Sequence, residues 1–319
     1  MAENKEGTSA KRTEIIDYRH DEIPAHVREL IDTHLAIESE EAKRAGALGF
    51  MARAFTIATM PHRDPKTATF ERVNGDFSFM MMGRPKIGLP YGSIPRLLVA
   101  WVSSEAVRTK SAHLELGDSL ADFLRALNLY RTGGKRGDIT RLRDQMRKLF
   151  ASHISVEYNG ETSWQIEHMQ LAQKAMVWWD PQDENDAGIW KSTLDLSEPF
   201  YKEITEHPIP VDLRAIQALK GSPLALDIYV WLTYRMSYLR RKTTIPWPAL
   251  RGQFGAGYAM DEQGLRNFRR AFLRELARVV VLYSRCNVTD SERGLVLSPS
   301  PTHIPFAQKS LFGPDSGQS

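Results

Sequence analysis

The chain has 319 residues, 42% hydrophobic and 25% charged; that length suits two domains, since single cores rarely grow past ~250 residues, and that composition excludes a wholly disordered chain. One cysteine, Cys286, excludes an internal disulfide framework, and neither a span of ~18 apolar residues nor a signal peptide's apolar core is present, which predicts a cytoplasmic chain without membrane contact. The net charge of +3 hides two basic blocks, eight basic against two acidic residues from Arg125 to Lys148 and eleven against three from Arg235 to Arg285, which suggests a polyanion touched at two places.

The first ~20 residues are polar and read as mobile, and residues 25–47 can form an amphipathic helix carrying Val27, Leu30, Ile31 and Leu35. TFERVNGDFSFMMM (69–82) predicts a hairpin with a type I′ turn at Asn74-Gly75. Ser93 and Pro95 open a helix burying Ile94, Leu97, Leu98 and Trp101, and a short helix capped by Asp118 or Ser119 buries Leu120, Phe123, Leu124 and Leu127. Asp138 caps a third helix with Ile139, Leu142, Met146 and Leu149 on one face; Ile154, Val156 and Tyr158 then alternate as a strand, and Asn159-Gly160 turns into Thr162, Trp164 and Ile166.

After an acidic spacer from Asp180 to Asp186 the same order recurs. Ser222 and Pro223 start a helix to Leu239 that is apolar almost all round, so it is predicted to be the central buried one. A short helix follows at Pro248–Phe254, then a third at ~261–278 with Leu265, Phe268, Phe272, Leu276 and Val279 on one face. Val279, Val281 and Tyr283 read as a strand, Asn287–Gly294 as a polar loop, and Leu295–Leu297 as the returning strand. The expectation is an α+β protein of two tandem winged-helix (helix-turn-helix) domains. Its divisions are a partly disordered N-terminal segment (1–55), a first domain (56–180), an acidic linker (181–197), a second domain (198–304) and a flexible tail (305–319).

Both third helices are basic away from their apolar face. The first presents Thr140, Arg141, Arg143, Gln145, Arg147 and Lys148; the second presents Arg266, Asn267, Arg269, Arg270, Arg274 and Arg278. Arginine's fork matches guanine O6 and N7 in the major groove, and Asn or Gln matches adenine, while lysines and hydroxyls hold phosphates. In helix-turn-helix proteins the N-terminal part of the helix faces the bases. Arg141, Gln145, Arg266, Asn267 and Arg270 are therefore the expected base readers, and Lys148, Arg274 and Arg278 the expected phosphate contacts.

No catalytic constellation emerges. Gly255-Ala-Gly257 lacks a preceding strand and a third glycine; Gly83 and Gly88 have P-loop spacing, but Leu89 stands where Lys is needed. The nine histidines show no HxxxH, HExxH or His-x-His pair, so neither a metal nor a cofactor is expected. His62-Arg63-Asp64 before Pro65 reads as a turn, and Tyr91 as packing under the first helix.

LPYGSIPRLLVAW (89–101), EAVRTKS (105–111), LGDSLADFLRALNL (116–129), GGKRGDITRLRDQM (133–146), HPIPVDLRAI (207–216), SPLALDIYVWLTYRMSYL (222–239), IPWPALRGQFGAGY (245–258) and FRRAFL (268–273) together resemble the plasmid-encoded RepA replication initiators. The resemblance runs from about Met60 to Ile304; residues 1–55 fall outside it. It implies a chain, not an enzyme, that binds direct repeats (iterons) in double-stranded plasmid origin DNA and helps open adjacent A·T-rich DNA. It implies host partners, an initiator and a replicative helicase, a monomer–dimer equilibrium and autorepression. A transcriptional repressor with two DNA-binding heads is the alternative. Dimerisation is expected through the first domain or the 69–82 hairpin, whose FSFMMM run would offer an unpaired edge; packing of Phe77, Phe79 and Met81 against the first winged helix is the alternative there. In the tail, Gln308, Leu311 and Phe312 of QKSLF resemble the pentapeptide that docks on the DNA-polymerase sliding clamp.

Overall fold

The computed structural model describes residues 24–117, 120–130, 132–134, 137–177, 192–255 and 257–304. The protein is mixed α+β, and among the described residues no helix is long and apolar enough to cross a membrane. It begins with α1 (Ala25–Ser39), β1 (Leu48–Ala52), α2 (Ala54–Ile57) and the hairpin β2 (Thr69–Asn74) and β3 (Phe77–Met82). The described part of the 1–55 segment, residues 24–55, is thus not separate from the core: Leu30, Met51, Ala52 and Phe55 are buried in it. Gly75-Asp76 forms the hairpin loop, one residue later than the predicted turn. Only Gly75 has a positive φ, of 62°, so the loop is not type I′, which needs two such residues.

Next come α3 (Ser93–Thr109), β4 (His113–Glu115), α4 (Leu120–Ala126), α5 (Asp138–Phe150), β5 (His153–Asn159), β6 (Trp164–Met169), β7 (Ala172–Met176) and β8 (Thr193–Leu196). Asp118 and Ser119, the predicted caps, lie outside the described residues. Asp138 is the first helical residue of α5 and does not cap it; its carboxylate accepts from the Tyr130 N–H instead. β3 is not an edge. It lies between β2 and β5 in a four-stranded sheet, order β2-β3-β5-β6, with Phe79 and Met81 fully buried. The packing alternative therefore holds for this hairpin. Thr162 belongs to the four-residue loop between β5 and β6, where Asn159 faces Trp164.

β8 pairs with both β4 and β7, and Leu194 and Leu196 are buried. The C-terminal end of the expected 181–197 linker is therefore a central strand. Asp180 to Asp186 lies outside the described residues.

The chain continues through α6 (Glu198–Glu206), β9 (Pro208–Asp212), α7 (Leu213–Leu219), α8 (Pro223–Tyr238), β10 (Thr243–Pro246), α9 (Trp247–Phe254), α10 (Glu262–Leu282), β11 (Val288–Asp290) and β12 (Gly294–Leu297). Ser222 caps α8, its hydroxyl accepting from the Ala225 N–H at 3.2 Å, and Pro223 sits at the first position. Eleven of the sixteen residues of α8 are buried, so it is the central helix that its composition predicts. α10 continues through Leu282, with Val279 and Leu282 on its buried face; the strand expected at Val279–Tyr283 is instead the end of this helix with Tyr283 as its C-cap, and the strand comes at Val288. Each unit thus has the order α-β-α-α-β-β, with a short strand, β4 or β10, that the sequence reading lacks. In the second unit these strands close one sheet, β10-β12-β11; in the first, β4 joins β8 instead.

The units share a buried seam. β1 pairs with β9 from Leu48↔Asp212 to Ala52↔Pro208. Arg96 of α3, only 2% exposed, donates to both oxygens of Asp227 of α8 at 2.6 and 2.7 Å and to the carbonyls of Met60 and Gly92 at 2.7 Å. His62 Nε2 shares Asp227 Oδ2 at 2.7 Å. Burial alone would raise the Asp227 carboxyl, but the Arg96 guanidinium holds it below its ordinary range; burial pushes His62 below its own. Gln253 of α9 donates to the carbonyls of Thr56 and Ile57, so the second unit's short helix is seated on the first unit. Farther along, Tyr229 accepts from the Asp212 N–H and bonds His303 Nδ1 at 2.7 Å, while His303 Nε2 is buried without a partner.

Candidate nucleic-acid interface

Asp261 caps α10, accepting from the Gly264 N–H at 2.6 Å. Gly264 is required there: a Cβ would meet the Ala259 carbonyl at 2.0 Å. Phe268 and Phe272 anchor the helix, their rings 5.6 Å apart and in contact with Tyr258, Phe254 and Trp247. With that face buried, Arg266, Arg270 and Arg274 form an exposed stripe at four-residue spacing, with Asn267 beside it. Arg266 is held to Gln263 at 3.0 Å and Gln263 to Asn267 at 3.0 Å, while Arg270 has no side-chain partner among the described residues. Five donors on a rigid helix face can match paired acceptors on a base edge or a phosphate.

Two arginines of α10 do not face outward as expected. Arg278 is mostly buried and donates to Glu275 at 2.8 Å. Burial pushes the Glu275 carboxyl up, but Arg274 and Arg278, both bonded to it, outweigh that and hold it low; of the two, Arg274 is the more exposed, at 71% against 26%. Arg269 leans on the hairpin β11–β12: its Nη2 lies 2.9 and 2.8 Å from the two oxygens of Asp290, and its guanidinium stands 5.2 Å from the centre of the Trp247 ring.

On α5 the expected set separates further. Arg141 and Arg143 are exposed, Arg141 pairing with Asp138 at 3.1 Å, and Arg147 is exposed beside them. Gln145 is buried, against expectation; its Oε1 accepts from the Tyr91 N–H at 2.8 Å and fixes the loop before α3. The Lys148 side chain is 12% exposed, pairs with Asp144 at 2.8 Å and lies 4.8 Å over the Tyr91 ring, so it is committed inside the protein rather than free for phosphate. Thr140 turns back to the Gly134 carbonyl at 2.8 Å. Gln308, Leu311 and Phe312 lie outside the described residues.

The residues the sequence reading missed are those that hold the seam. Arg96 and Asp227 are lone charges within apolar helices, RLLVAW and LALDIYVWL. A charge there is costly unless paired, and that was the available signal.

No curated protein matches the sequence. The chain is similar to the crystal structure of domains 2–3 of RctB at 12% identity and a TM-score of 0.47, covering 76% of this chain and 94% of that one. It is also similar to a selenomethionine derivative of RctB domains 2 and 3 at 11% identity and a TM-score of 0.49, covering 79% and 99%. Residues 89–248 match the family described as plasmid encoded RepA protein, from the loop before α3 through the start of α9. By that match over half its length, the chain belongs to the plasmid-encoded RepA family.

Proposed function

We propose that this chain initiates plasmid replication by binding direct repeats in origin DNA through two winged-helix units, with α5 and α10 as recognition helices and the hairpins β5–β6 and β11–β12 as wings. Family membership supports the role as a plasmid replication initiator. The observation that carries the DNA-binding reading is the stripe Arg266, Arg270 and Arg274 on α10, placed beside a short hairpin as in other helix-turn-helix proteins. The chain acts by binding and bending rather than by catalysis; distortion by two heads on one site costs of order 1–6 kcal/mol, offset by added contacts. Opening of A·T-rich DNA, recruitment of the host initiator, helicase and sliding clamp, a monomer–dimer equilibrium and autorepression belong to the same proposal, and none of them alters the test below.

Affinity for duplex DNA is expected to fall steeply with salt, with a log–log slope of about −0.9 per neutralised phosphate. A flat response between low and physiological salt overturns the reading. Arg266→Ala or Arg270→Ala is expected to cost about 1–3 kcal/mol and relax discrimination at one or two base pairs, whereas Arg274→Ala weakens all sequences about equally. Electrophoretic mobility shifts on selected and scrambled duplexes check this; an equal ratio of specific to non-specific loss in all three variants refutes the division of roles.

A further inference from the structure

We propose that Arg269 is a positioning residue, not a DNA contact: by joining α10 to Trp247 and Asp290 it fixes the wing against the recognition helix and thereby sets which bases α10 can discriminate. The inference rests on the DNA-binding reading above. β11 and β12 have three and four residues, too few for a hairpin to hold a defined pose alone. β12 is held by β10, paired from Thr243↔Leu297 to Pro246↔Gly294, which leaves β11 the outer strand of three. The turn between β11 and β12 is held by Trp247, 3% exposed at the first turn of α9, which donates its indole N–H to the Ser291 carbonyl at 3.0 Å and its backbone N–H to the Arg293 carbonyl at 3.4 Å. Arg269 lies over that same ring and engages both Asp290 oxygens, so one side chain touches α10, α9 and β11 together.

The charges point the same way. Asp290 is a half-exposed carboxylate on a face that would meet phosphates, where it would repel them unless neutralised. Arg269 neutralises it, and its side chain is 35% exposed against 62% for Arg266 and 71% for Arg274. Arg269 is also one residue off the stripe of Arg266, Arg270 and Arg274, hence about 100° around the helix from Arg270. Arginine suits this double engagement because its planar guanidinium lies over the Trp247 ring while a single nitrogen, Nη2, reaches both Asp290 oxygens; a lysine ammonium could reach the carboxylate but, as a compact hydrated charge, lacks the planar face.

The test uses the full chain as Arg269→Ala, Asp290→Ala, the double variant and Arg269→Lys. The probes are a duplex that the unaltered chain selects from a random pool, and poly(dI-dC). Each single variant is expected to lose about tenfold in the ratio of selected to poly(dI-dC) affinity, with the salt slope unchanged. The double variant is expected to be no worse than the poorer single one, Arg269→Lys is expected to fail to restore the ratio, and amide exchange across 288–297 is expected to quicken in all four. The positioning role is overturned if Arg269→Ala weakens both DNAs alike and lowers the salt slope by about 0.9 while Asp290→Ala tightens binding, for that is the signature of a phosphate contact. If the unaltered chain selects no duplex, the DNA-binding reading falls first and this inference with it.

Discussion

Asp227→Ala is expected to lower the stability of the chain by about 3–5 kcal/mol, because it strands the Arg96 guanidinium in the seam between α3 and α8. The carbonyls of Met60, Pro61 and Gly92 would still accept from Arg96, but no anion would remain within bonding distance of it. Removing both charges is a different matter. Apolar replacement of a buried ion pair is often neutral, so Arg96→Met with Asp227→Leu is expected to recover most of the loss. Urea unfolding at pH 7 separates the cases; a double variant as unstable as Asp227→Ala would show that the pair contributes more than mutual neutralisation. Since α3 belongs to one unit and α8 is the central buried helix of the other, the single variant is also expected to broaden the unfolding transition as the units uncouple.

The second large effect is acid lability through His303. Burial pushes its imidazole down to about 4, and Nδ1 shares a hydrogen bond of 2.7 Å with the buried Tyr229 hydroxyl. A histidine whose folded value lies below its unfolded one contributes stability at and above pH 6.5, and that contribution is lost as pH falls toward the folded value. The loss is about 2 kcal/mol by pH 5 and about 3 kcal/mol at pH 4. His62, lowered likewise, adds in the same direction. Denaturation midpoints at pH 7 and pH 5 for the unaltered chain and His303→Gln check this, since glutamine can still accept from Tyr229 but does not titrate. An equal pH dependence in both refutes the assignment.

The helices were legible in the sequence wherever burial is one-sided or total. α8 declared itself by a Ser-Pro start and an unbroken apolar run, and α3 and α5 by their spacing. Val279, Val281 and Tyr283 misled because β-branched alternation over so few residues mimics a strand, whereas the 3.6-residue period of Phe268, Phe272, Val279 and Leu282 carries through it. β4 and β10 are short, and each is specified by a partner strand far along the chain, so no local pattern marks them. The same distinction divides the candidate interface. Arg266, Asn267, Arg270 and Arg274 face outward because their own helix dictates it, while Gln145 and Lys148 are diverted by Tyr91 and Arg269 by Asp290, contacts that only the tertiary fold creates.

The ribbon of β1 with β9 also fixes when the protein can be completed during its synthesis. β1 has β9 as its only described pairing partner, and Met51 faces Ile209. That pairing closes a loop of about 160 residues, one of the slow, late contacts of folding. At ~5–20 residues per second, β1 waits on the order of 10–30 s on the ribosome with an unpaired edge carrying Leu48, Phe50 and Met51. A product ending before residue 208 keeps that sticky edge for good, however intact its own helices are.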